Sequence, residues 1–384
     1  MPSSRVNAIQ PFYVMDILAR ARELEAQGRD IIHMEVGEPD FPTPQPVVEA
    51  GQRALAEGRT RYTPALGIPE LREAVSAWYG ERFGIQVPAA RIVITPGSSM
   101  GLQMLISALA DSGDRVLLPD PGYPCNRNFV NLFDAEPVPL PVSMANGWIP
   151  VPQQIREHWK ARTRALMIAT PSNPTGSVLT LEQLEAISRT VSGLDGALIV
   201  DEIYQGLSYD VEPVTALSLD ADTLFIVNSF SKYFGMTGWR LGWLVVPEAW
   251  VPVMERLAQN LYLSAPTIAQ YAALAAMQPA TVAILEERRA DFRERRDFLY
   301  PALEQLGFGM AGKPQGAFYL YADCSGLTGD SFAFCERMLE EAGVAITPGK
   351  DFGFNEPQRY VRFAYTTSVE RMQLAIERLG QAIR

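Results

Sequence analysis

Lysine is rare in this chain of 384 residues, and one lysine lies in a segment that can do chemistry. The four lysines are Lys160, Lys232, Lys313 and Lys350. Lys232 follows the apolar run TLFIV and precedes another, RLGWLVV, so it stands near the end of a predicted strand. Its neighbours are aromatic or small, and this environment lowers the pKa of an amine and makes it nucleophilic. The amine is therefore suited to forming a Schiff base with a carbonyl compound.

Groups that bind anions surround this lysine. Ser229, Ser231 and Arg240 lie within one short segment, and their side chains can donate hydrogen bonds to phosphate. Residues 97–99 (GSS) follow the strand RIVIT and begin a predicted helix, whose N-terminal N–H groups attract anions. Asp201 ends the run GALIVD, at the sheet edge where open α/β folds bind ligands. The pattern predicts a pocket for a dianion beside an amine, with a carboxylate that can pair with a cationic ring nitrogen.

One motif indicates a serine hydrolase instead. Residues 97–101 (GSSMG) fit GxSxG and lie between a predicted strand and a predicted helix, the context of a nucleophile elbow. Such an enzyme needs an acid and then a histidine later in the chain, but the only histidine after Ser99 is His158, within EHWKAR. The triad is not completed, so we expect Ser98 and Ser99 to bind an anion at the start of a helix.

A second motif is typical of nucleotide-binding loops. Gly307, Gly309 and Gly312 spell GxGxxG. Phosphate binding by such a loop needs a strand that leads into a helix, whereas these glycines follow a predicted helix and precede the strand AFYLY. We therefore expect a helix end and a turn at this place.

Short β-branched runs alternate with helical stretches from about residue 46. The runs include RIVIT, RVLLP, RALMIAT, GALIVDEIY, TLFIVNSF and RLGWLVVP. They are apolar throughout, as expected for strands that are buried on both faces of a parallel sheet with crossover helices. After about residue 265, long Arg- and Glu-rich helical stretches alternate with AFYLYAD, VAITPG and RYVRFAYTTS, which predicts a smaller α+β domain.

The composition restricts both partners and chemistry. A net charge of −11 leaves no broad basic surface for nucleic acid or an anionic membrane. The N-terminus lacks a signal-peptide pattern and no run of about 18 apolar residues occurs, so we expect a cytoplasmic protein. Cys125, Cys324 and Cys335 are irregularly spaced and predict core thiols, and two histidines are too few for a metal site.

Several segments together resemble one known family. SFSKYFGMTGWRLG resembles the lysine signature of class I pyridoxal-phosphate aminotransferases, and PSNPTG and DEIY look like that family's next two landmarks. EVGEPDFPTP, RYTPALGIPELREAV, TPGSSMGL, DPGYP and RFAYTTS occur in the family's order, so the resemblance covers nearly the whole chain. It implies the fold-type I architecture of aspartate aminotransferase-like enzymes.

That architecture is an α/β fold with two domains. The large domain has a mainly parallel seven-stranded sheet flanked by helices, and the smaller α+β domain is built from both termini. For this chain we expect an N-terminal arm and part of the small domain in residues 1–45. The large cofactor-binding domain is expected in residues 46–280 and the small C-terminal domain in residues 281–384.

The resemblance implies pyridoxal 5'-phosphate as the cofactor and gives roles to the residues around its ring. Lys232 would hold the cofactor covalently and then move the α-proton of the substrate as base and acid. Asp201 would keep the ring nitrogen protonated. Asn173 and Tyr204 would hydrogen-bond the phenolic oxygen of the ring, and Tyr123 would stack on the ring face.

Further matches imply the phosphate site, the subunit contact and the substrate site. The phosphate would be bound by Gly97, Ser98, Ser99, Ser229, Ser231 and Arg240. Tyr62 matches the family's tyrosine that reaches the phosphate site of the neighbouring subunit, which implies a homodimer with shared active sites. Arg362 matches the arginine that binds the substrate α-carboxylate, and Gly37 and Asn173 would lie beside that carboxylate.

The activity that the resemblance implies is transfer of an amino group from an amino acid to a 2-oxo acid by a ping-pong mechanism. A carbon–sulfur β-lyase with the same cofactor and fold is the alternative. A regulatory module fused to a DNA-binding domain is disfavoured, because the motifs begin near residue 35. The apolar residues 11–15 match the region that covers the substrate side chain in relatives. We therefore expect a neutral or aromatic amino donor, with glutamate as one partner.

Overall fold

Twelve short strands form the sheets within the part of the chain that the structure describes. The computed structural model describes residues 3–9, 11–219 and 221–383. Its strands are β1 (Ile32–His33), β2 (Ile92–Thr95), β3 (Arg115–Asp120), β4 (Glu136–Pro141), β5 (Thr163–Ala169), β6 (Ala197–Asp201), β7 (Leu224–Ser229), β8 (Gly242–Val245), β9 (Tyr319–Asp323), β10 (Val344–Ala345), β11 (Thr347–Pro348) and β12 (Tyr360–Ala364).

Seven of these strands form the large sheet in the order β2-β8-β7-β6-β5-β3-β4. β8 is antiparallel to both of its neighbours, β2 and β7, and all other pairs are parallel. Every residue of β2, β6, β7 and β8 is buried, as apolar strands covered on both faces should be. The mainly parallel seven-stranded sheet predicted from the sequence is confirmed.

Helices cover the faces of the sheets and contribute the rest of the core. Within the described residues they are α1 (Ser4–Asn7), α2 (Tyr13–Ala26), α3 (Gln45–Ala56), α4 (Pro69–Phe83), α5 (Ser98–Leu109), α6 (Pro124–Leu132), α7 (Pro152–His158), α8 (Leu181–Ser192), α9 (Val251–Leu261), α10 (Thr267–Ala276), α11 (Pro279–Gln305), α12 (Ser331–Arg337) and α13 (Val369–Ile383). α5 begins directly after β2 and packs apolar side chains such as Leu102 and Leu105 beneath the sheet.

The smaller part of the fold draws on both ends of the chain. β11, β12 and β9 form an antiparallel sheet in that order. β1, near the N-terminus, pairs with β10 in parallel, with Ile32 opposite Val344. This pairing confirms that the smaller α+β part is built from both termini. The domain boundaries at residues 45 and 280 stay a prediction.

The glycines that spell GxGxxG lie in a turn. α11 ends at Gln305, and Gly307 has a φ of 96°, a left-handed conformation that glycine adopts without strain. The N–H and carbonyl groups of Gly309 pair with the backbone of Asp323. The segment then leads into β9, so it lacks the strand-to-helix geometry that cradles a phosphate.

The helices of the described residues differ in length and hydropathy from membrane-spanning helices. No single helix there is both long enough and apolar enough to cross a membrane. α10 and α11 meet the length and hydropathy requirement only when taken together, and they are bent by 79° at their junction. The cytoplasmic location expected from the sequence stays a prediction.

Candidate active site

The predicted site residues converge at the carboxyl ends of the parallel strands. β6 ends at Asp201 and β7 ends at Ser229, shortly before Lys232. Neighbouring parallel strands end at the same edge of a sheet, where open α/β folds bind ligands. A cavity of about 290 Å³ lies there. Its lining includes eleven predicted residues: Gly37, Ser98, Ser99, Tyr123, Asn173, Asp201, Tyr204, Ser231, Lys232, Arg240 and Arg362.

The amine of Lys232 lies among backbone and aromatic groups. Its Nζ donates a hydrogen bond of 2.6 Å to the carbonyl of Gly37. The same atom lies 6.0 Å from the ring centroid of Tyr204 and 5.9 Å from that of Phe318. Burial lowers the pKa of Lys232 to about 8. A sizeable fraction of this amine is therefore neutral in mildly alkaline solution, which is the nucleophilic form.

Asp201 presents a buried carboxylate to the cavity. Its Oδ1 accepts a hydrogen bond of 3.1 Å from the N–H of Ile203. Burial raises the pKa of Asp201 to about 7, although this N–H and the Lys232 amine act in the opposite direction. A cationic ring nitrogen in the cavity would supply the counter-charge that favours the ionised carboxylate. Asp201 therefore fits a protonated pyridine ring.

Donors for an anion gather around the start of α5. A Cβ at Gly97 would lie 2.8 Å from Nη2 of Arg240, and Gly97 has a φ of 80°, so glycine is required there. Ser98 and Ser99 form the first turn of α5, whose N–H groups have no partner within the helix. Ser231 and Arg240 line the same cavity. Hydroxyls, a guanidinium and a helix N-terminus together fit a phosphate dianion.

Arg362 is a buried cation without a carboxylate partner among the described residues. Its side chain is only 5% exposed, and its guanidinium lies 4.4 Å from the ring centroid of Tyr319 and 4.7 Å from that of Phe352. Nη1 donates a 2.8 Å hydrogen bond to Oδ1 of Asn173, and Nη2 donates to the carbonyl of Glu35. Nε is buried with no partner in the described structure. The arrangement fits an incoming carboxylate.

Tyr204, Tyr319 and Gly37 lie close together in the lining of the cavity. The hydroxyl oxygens of Tyr204 and Tyr319 lie 2.7 Å apart. Burial raises the pKa of Tyr204 well above its ordinary value, so its hydroxyl stays protonated and can donate. A Cβ at Gly37 would lie 2.2 Å from the Tyr319 hydroxyl oxygen, so any larger residue would displace that tyrosine.

Three predicted residues do not line the cavity. Gly97 lies beside Arg240, where a larger residue would collide with the guanidinium. The Oγ of Ser229 donates a 2.9 Å hydrogen bond to the Oγ of Ser231 and thus supports Ser231. Tyr62 is 80% exposed on the surface of this chain. Their predicted contacts with a phosphate group stay predictions.

A serine hydrolase would need a histidine beside Ser99, but no histidine among the described residues lines the cavity. Ser99 lines the cavity, whereas His158 is not among its lining residues. The Nδ1 of His158 lies 2.9 Å from the carbonyl oxygen of Gln154, one turn earlier on α7. The geometry of a catalytic triad is therefore not formed at Ser99.

Thr237, Tyr319, Asp351 and Phe352 are among the lining residues that sequence reasoning missed. Tyr319 begins β9, which pairs with β12, the strand that carries Arg362. An aromatic residue in the predicted strand AFYLYAD, which belongs to the same predicted domain as RYVRFA, was the available signal for Tyr319. Asp351 and Phe352 follow β11 in a short segment whose letters carried no recognisable signal.

A pH effect on stability is expected from His33, which lies near the arginine site. Its Nδ1 lies 2.7 Å from the fully buried carboxylate of Glu35, and its Nε2 lies 3.1 Å from Glu25. The contact with Glu35 raises the pKa of His33 to about 9, and this ion pair stabilises the fold when His33 is charged.

The stabilisation is fully present below the ordinary histidine pKa of about 6.5 and is lost as the pH rises through about 9. Because His33 is partly exposed, we expect this ion pair to contribute only about 1–2 kcal/mol to the free energy of unfolding. Urea unfolding of the wild type and of His33→Gln at pH 6 and pH 9.5 measures the loss. His158→Gln is the matched control. An equal pH dependence in the wild type and His33→Gln would contradict the prediction.

Comparison with known proteins agrees with this geometry. The family described as aminotransferase class I and II matches residues 29–379. The chain is 38% identical to a valine–pyruvate aminotransferase of Mycobacterium tuberculosis over 97% of this chain and 96% of that protein. It is 37% identical to an aspartate/prephenate aminotransferase of Thermus thermophilus over 99% of this chain and 98% of that protein.

Solved structures give the same result. A crystal structure of an aminotransferase from Mycobacterium tuberculosis superposes with a TM-score of 0.95 at 38% identity, covering 99% of this chain and 98% of that chain. The aspartate aminotransferase of Thermus thermophilus with maleate superposes with a TM-score of 0.94 at 37% identity, covering 100% of this chain and 99% of that chain. The fold is therefore that of the fold-type I aminotransferases.

The fold and the cavity define an enzyme that acts on small molecules at the edge of a parallel sheet. The chain belongs to the class I and II aminotransferase family. It is a pyridoxal-phosphate-dependent aminotransferase, and the family resemblance seen in the sequence is confirmed.

Proposed function

We propose that this enzyme moves the amino group of an L-amino acid with a neutral or aromatic side chain to a 2-oxo acid, with glutamate as one partner. The two half-reactions use one cavity in turn, which gives ping-pong kinetics. One observation carries the proposal: the guanidinium of Arg362 is buried, has no carboxylate partner among the described residues and lines the same cavity as Lys232. Both groups can therefore act on one bound amino acid.

The residues that line the cavity support a set of contacts to pyridoxal 5'-phosphate. Lys232 would attach it covalently through the amine, and Asp201 would hold a proton on its ring nitrogen. Asn173 and Tyr204 would donate hydrogen bonds to the phenolic oxygen, and Tyr123 would cover a ring face. Ser98, Ser99, Ser231 and Arg240 would bind the phosphate, with Gly97 and Ser229 supporting them. When bound, the cofactor withdraws electrons from the substrate's α-carbon and carries the amino group between half-reactions.

Proton transfer falls to Lys232. Its amine would take the proton from the α-carbon of the bound amino acid as a base and return it as an acid. Burial lowers the pKa of this amine to about 8, close to neutral pH, where one group serves well as both base and acid. Arg362 meanwhile holds the α-carboxylate through a planar fork and keeps the α-carbon oriented.

The side-chain preference rests on the wall formed by the start of α2. Phe12, Val14, Met15 and Leu18 line the cavity, and we refer to them as the N-terminal wall. The cationic side chains that line the cavity within the described residues are Lys232, Arg240 and Arg362, and each already has a proposed partner. One relative is named for valine and pyruvate and another for aspartate and prephenate. The apolar wall supports a donor of the first kind.

A homodimer with shared active sites is part of the proposal. Tyr62 is 80% exposed in the single chain, so its side chain is accessible to a partner subunit. In a dimer it would reach the phosphate site of the partner subunit, where Tyr62→Phe should weaken cofactor retention. Sedimentation of the purified protein as a monomer would contradict the shared site.

A panel of amino donors tests the proposed substrate class. Valine, leucine, phenylalanine, alanine and aspartate are each supplied with pyruvate and, separately, with 2-oxoglutarate, and the 2-oxo acid product is measured. Valine, leucine or phenylalanine should give the highest kcat/KM. A value for aspartate about a hundredfold above those of the apolar donors would overturn the apolar assignment.

The β-lyase is distinguished by its products. The compared relatives are named as aminotransferases, which gives the lyase no support. Glutamate alone should convert the bound cofactor to its amine form if the enzyme is a transaminase. Release of pyruvate, ammonia and thiol from cystathionine without a 2-oxo acceptor would favour the lyase.

A further inference from the structure

The first turn of α2 forms part of the cavity, although it lies far from the other lining residues in sequence. The remainder of α2 is anchored in the core by Ile17, Ala21 and Leu24. Most residues of the N-terminal wall precede these core residues in the sequence. One of them, Met15, is largely exposed. The position of the wall therefore depends on whatever holds the first turn.

A buried carboxylate holds that turn. The Oδ1 of Asp351 accepts a hydrogen bond of 3.0 Å from the N–H of Tyr13, and its Oδ2 accepts one of 3.2 Å from the N–H of Val14. The first N–H groups of a helix have no partners within the helix, and Phe12 at the N-cap position has no side-chain acceptor to offer. Asp351 supplies the missing cap from a segment 338 residues away.

Asp351 is buried in a short segment whose neighbouring residues contact Arg362. Its side chain is 2% exposed, and its carbonyl accepts a 2.9 Å hydrogen bond from Nη2 of Arg127. Thr347, four residues earlier, lies 3.4 Å from Nη2 of Arg362, and Phe352, the next residue, packs against the same guanidinium. One short segment thus contacts both the carboxylate-binding arginine and the start of α2.

We propose that Asp351 is a positioning residue: it caps α2 and thereby holds the N-terminal wall against the side chain of the substrate. The enzyme should therefore prefer large apolar donors to alanine. This inference rests on the proposed function. The negative charge also interacts favourably with the positive end of the helix dipole. Alanine as a donor has too small a side chain to gain from the wall, whereas leucine and phenylalanine bury their side chains against it.

The test compares Asp351→Ala and Asp351→Asn with the wild-type holoenzyme. For Asp351→Ala, the KM for leucine and phenylalanine should rise about tenfold, as loss of a helix cap and its packing predicts, while kcat and KM for alanine change less than about threefold. Asp351→Asn keeps the shape of the side chain and one acceptor oxygen. Its KM for leucine and phenylalanine should therefore lie between those of the wild type and Asp351→Ala. Thr180→Ala is the matched control, since Thr180 caps α8 and does not line the cavity.

A second readout does not depend on activity. Hydrogen exchange of the peptide covering residues 12–18 should be at least about tenfold faster in Asp351→Ala than in the wild type, with the core peptides and the melting temperature little changed. Unchanged exchange in this peptide, or an equal change in KM for alanine and for leucine, would overturn the inference. A wild-type enzyme that transaminates none of these donors would instead overturn the proposed function. The hydrogen-exchange result would still decide whether Asp351 caps α2.

Discussion

Changing Lys232 to alanine is expected to lower kcat at least about 10⁴-fold, because the proposed function assigns both the covalent attachment and the proton transfer to this one side chain. Its amine lies in the cavity with Asp201 and Arg362, and burial lowers its pKa to about 8. Lys232→Arg should be as inactive, although it keeps a positive charge, because a guanidinium does not deprotonate near neutral pH. The measurement is the steady-state rate with saturating donor and acceptor.

The chain allows a sharp control for this prediction. It contains only four lysines, and Lys313 pairs with Asp297 on the surface at 3.1 Å. Lys313→Ala should keep the wild-type rate. Borohydride reduction of the wild type followed by digestion should place the pyridoxyl mass on the Lys232 peptide. A label on another lysine peptide, or full activity in Lys232→Ala, would contradict both the assignment and the proposed function.

The apoenzyme should also take up cofactor in a pH-dependent way. Burial lowers the pKa of Lys232 to about 8, so the reactive neutral amine becomes more abundant as the pH rises toward that value. The rate of cofactor uptake should therefore climb between pH 6 and pH 8 and level off above it. A rate that is flat over this range would show that another step or another group controls attachment.

Changing Arg362 to alanine is expected to lower kcat/KM for every amino donor by about 10²- to 10⁴-fold, the range found when one partner of a buried charge pair is removed. The guanidinium lies between two aromatic rings, is held by Asn173 and the Glu35 carbonyl, and has an unpartnered Nε within the described structure. Arg362→Lys should recover little of the loss, because an ammonium does not offer a planar fork to a carboxylate.

The control for Arg362 lies in the same region of the fold. Arg359 pairs with Asp323 at 2.6 Å and with Glu356 at 3.0 Å and does not line the cavity. Arg359→Ala should keep kcat/KM within about threefold of the wild type. Retention of the cofactor in Arg362→Ala, checked by borohydride labelling, separates a loss of substrate binding from a loss of the holoenzyme. A wild-type KM in Arg362→Ala would contradict the role.

Prediction from sequence succeeded best where the signal was local. The apolar runs predicted six of the seven strands of the large sheet, because a strand buried on both faces must be apolar at every position. They did not include the edge strand β4, whose residues alternate between buried and exposed. Lys232, Ser231 and Arg240 stand close together in one segment between two such strands, so their shared location needed no knowledge of the fold. The order of the strands, and the insertion of antiparallel β8 between β2 and β7, could not be read from these runs.

The contacts that join distant segments were decided by the tertiary structure. Tyr204 meets Tyr319 across 115 residues, and Asp351 meets the start of α2 across 338 residues. A hydrogen-bond donor in the chain does not specify which distant acceptor will face it, because that depends on how the helices and sheets pack. The sequence by itself determined the fold class, and it predicted the reactive amine of Lys232 and the neighbours proposed to bind an anion. Only packing decided that Tyr319, Phe352 and Asp351 would complete the cavity around them.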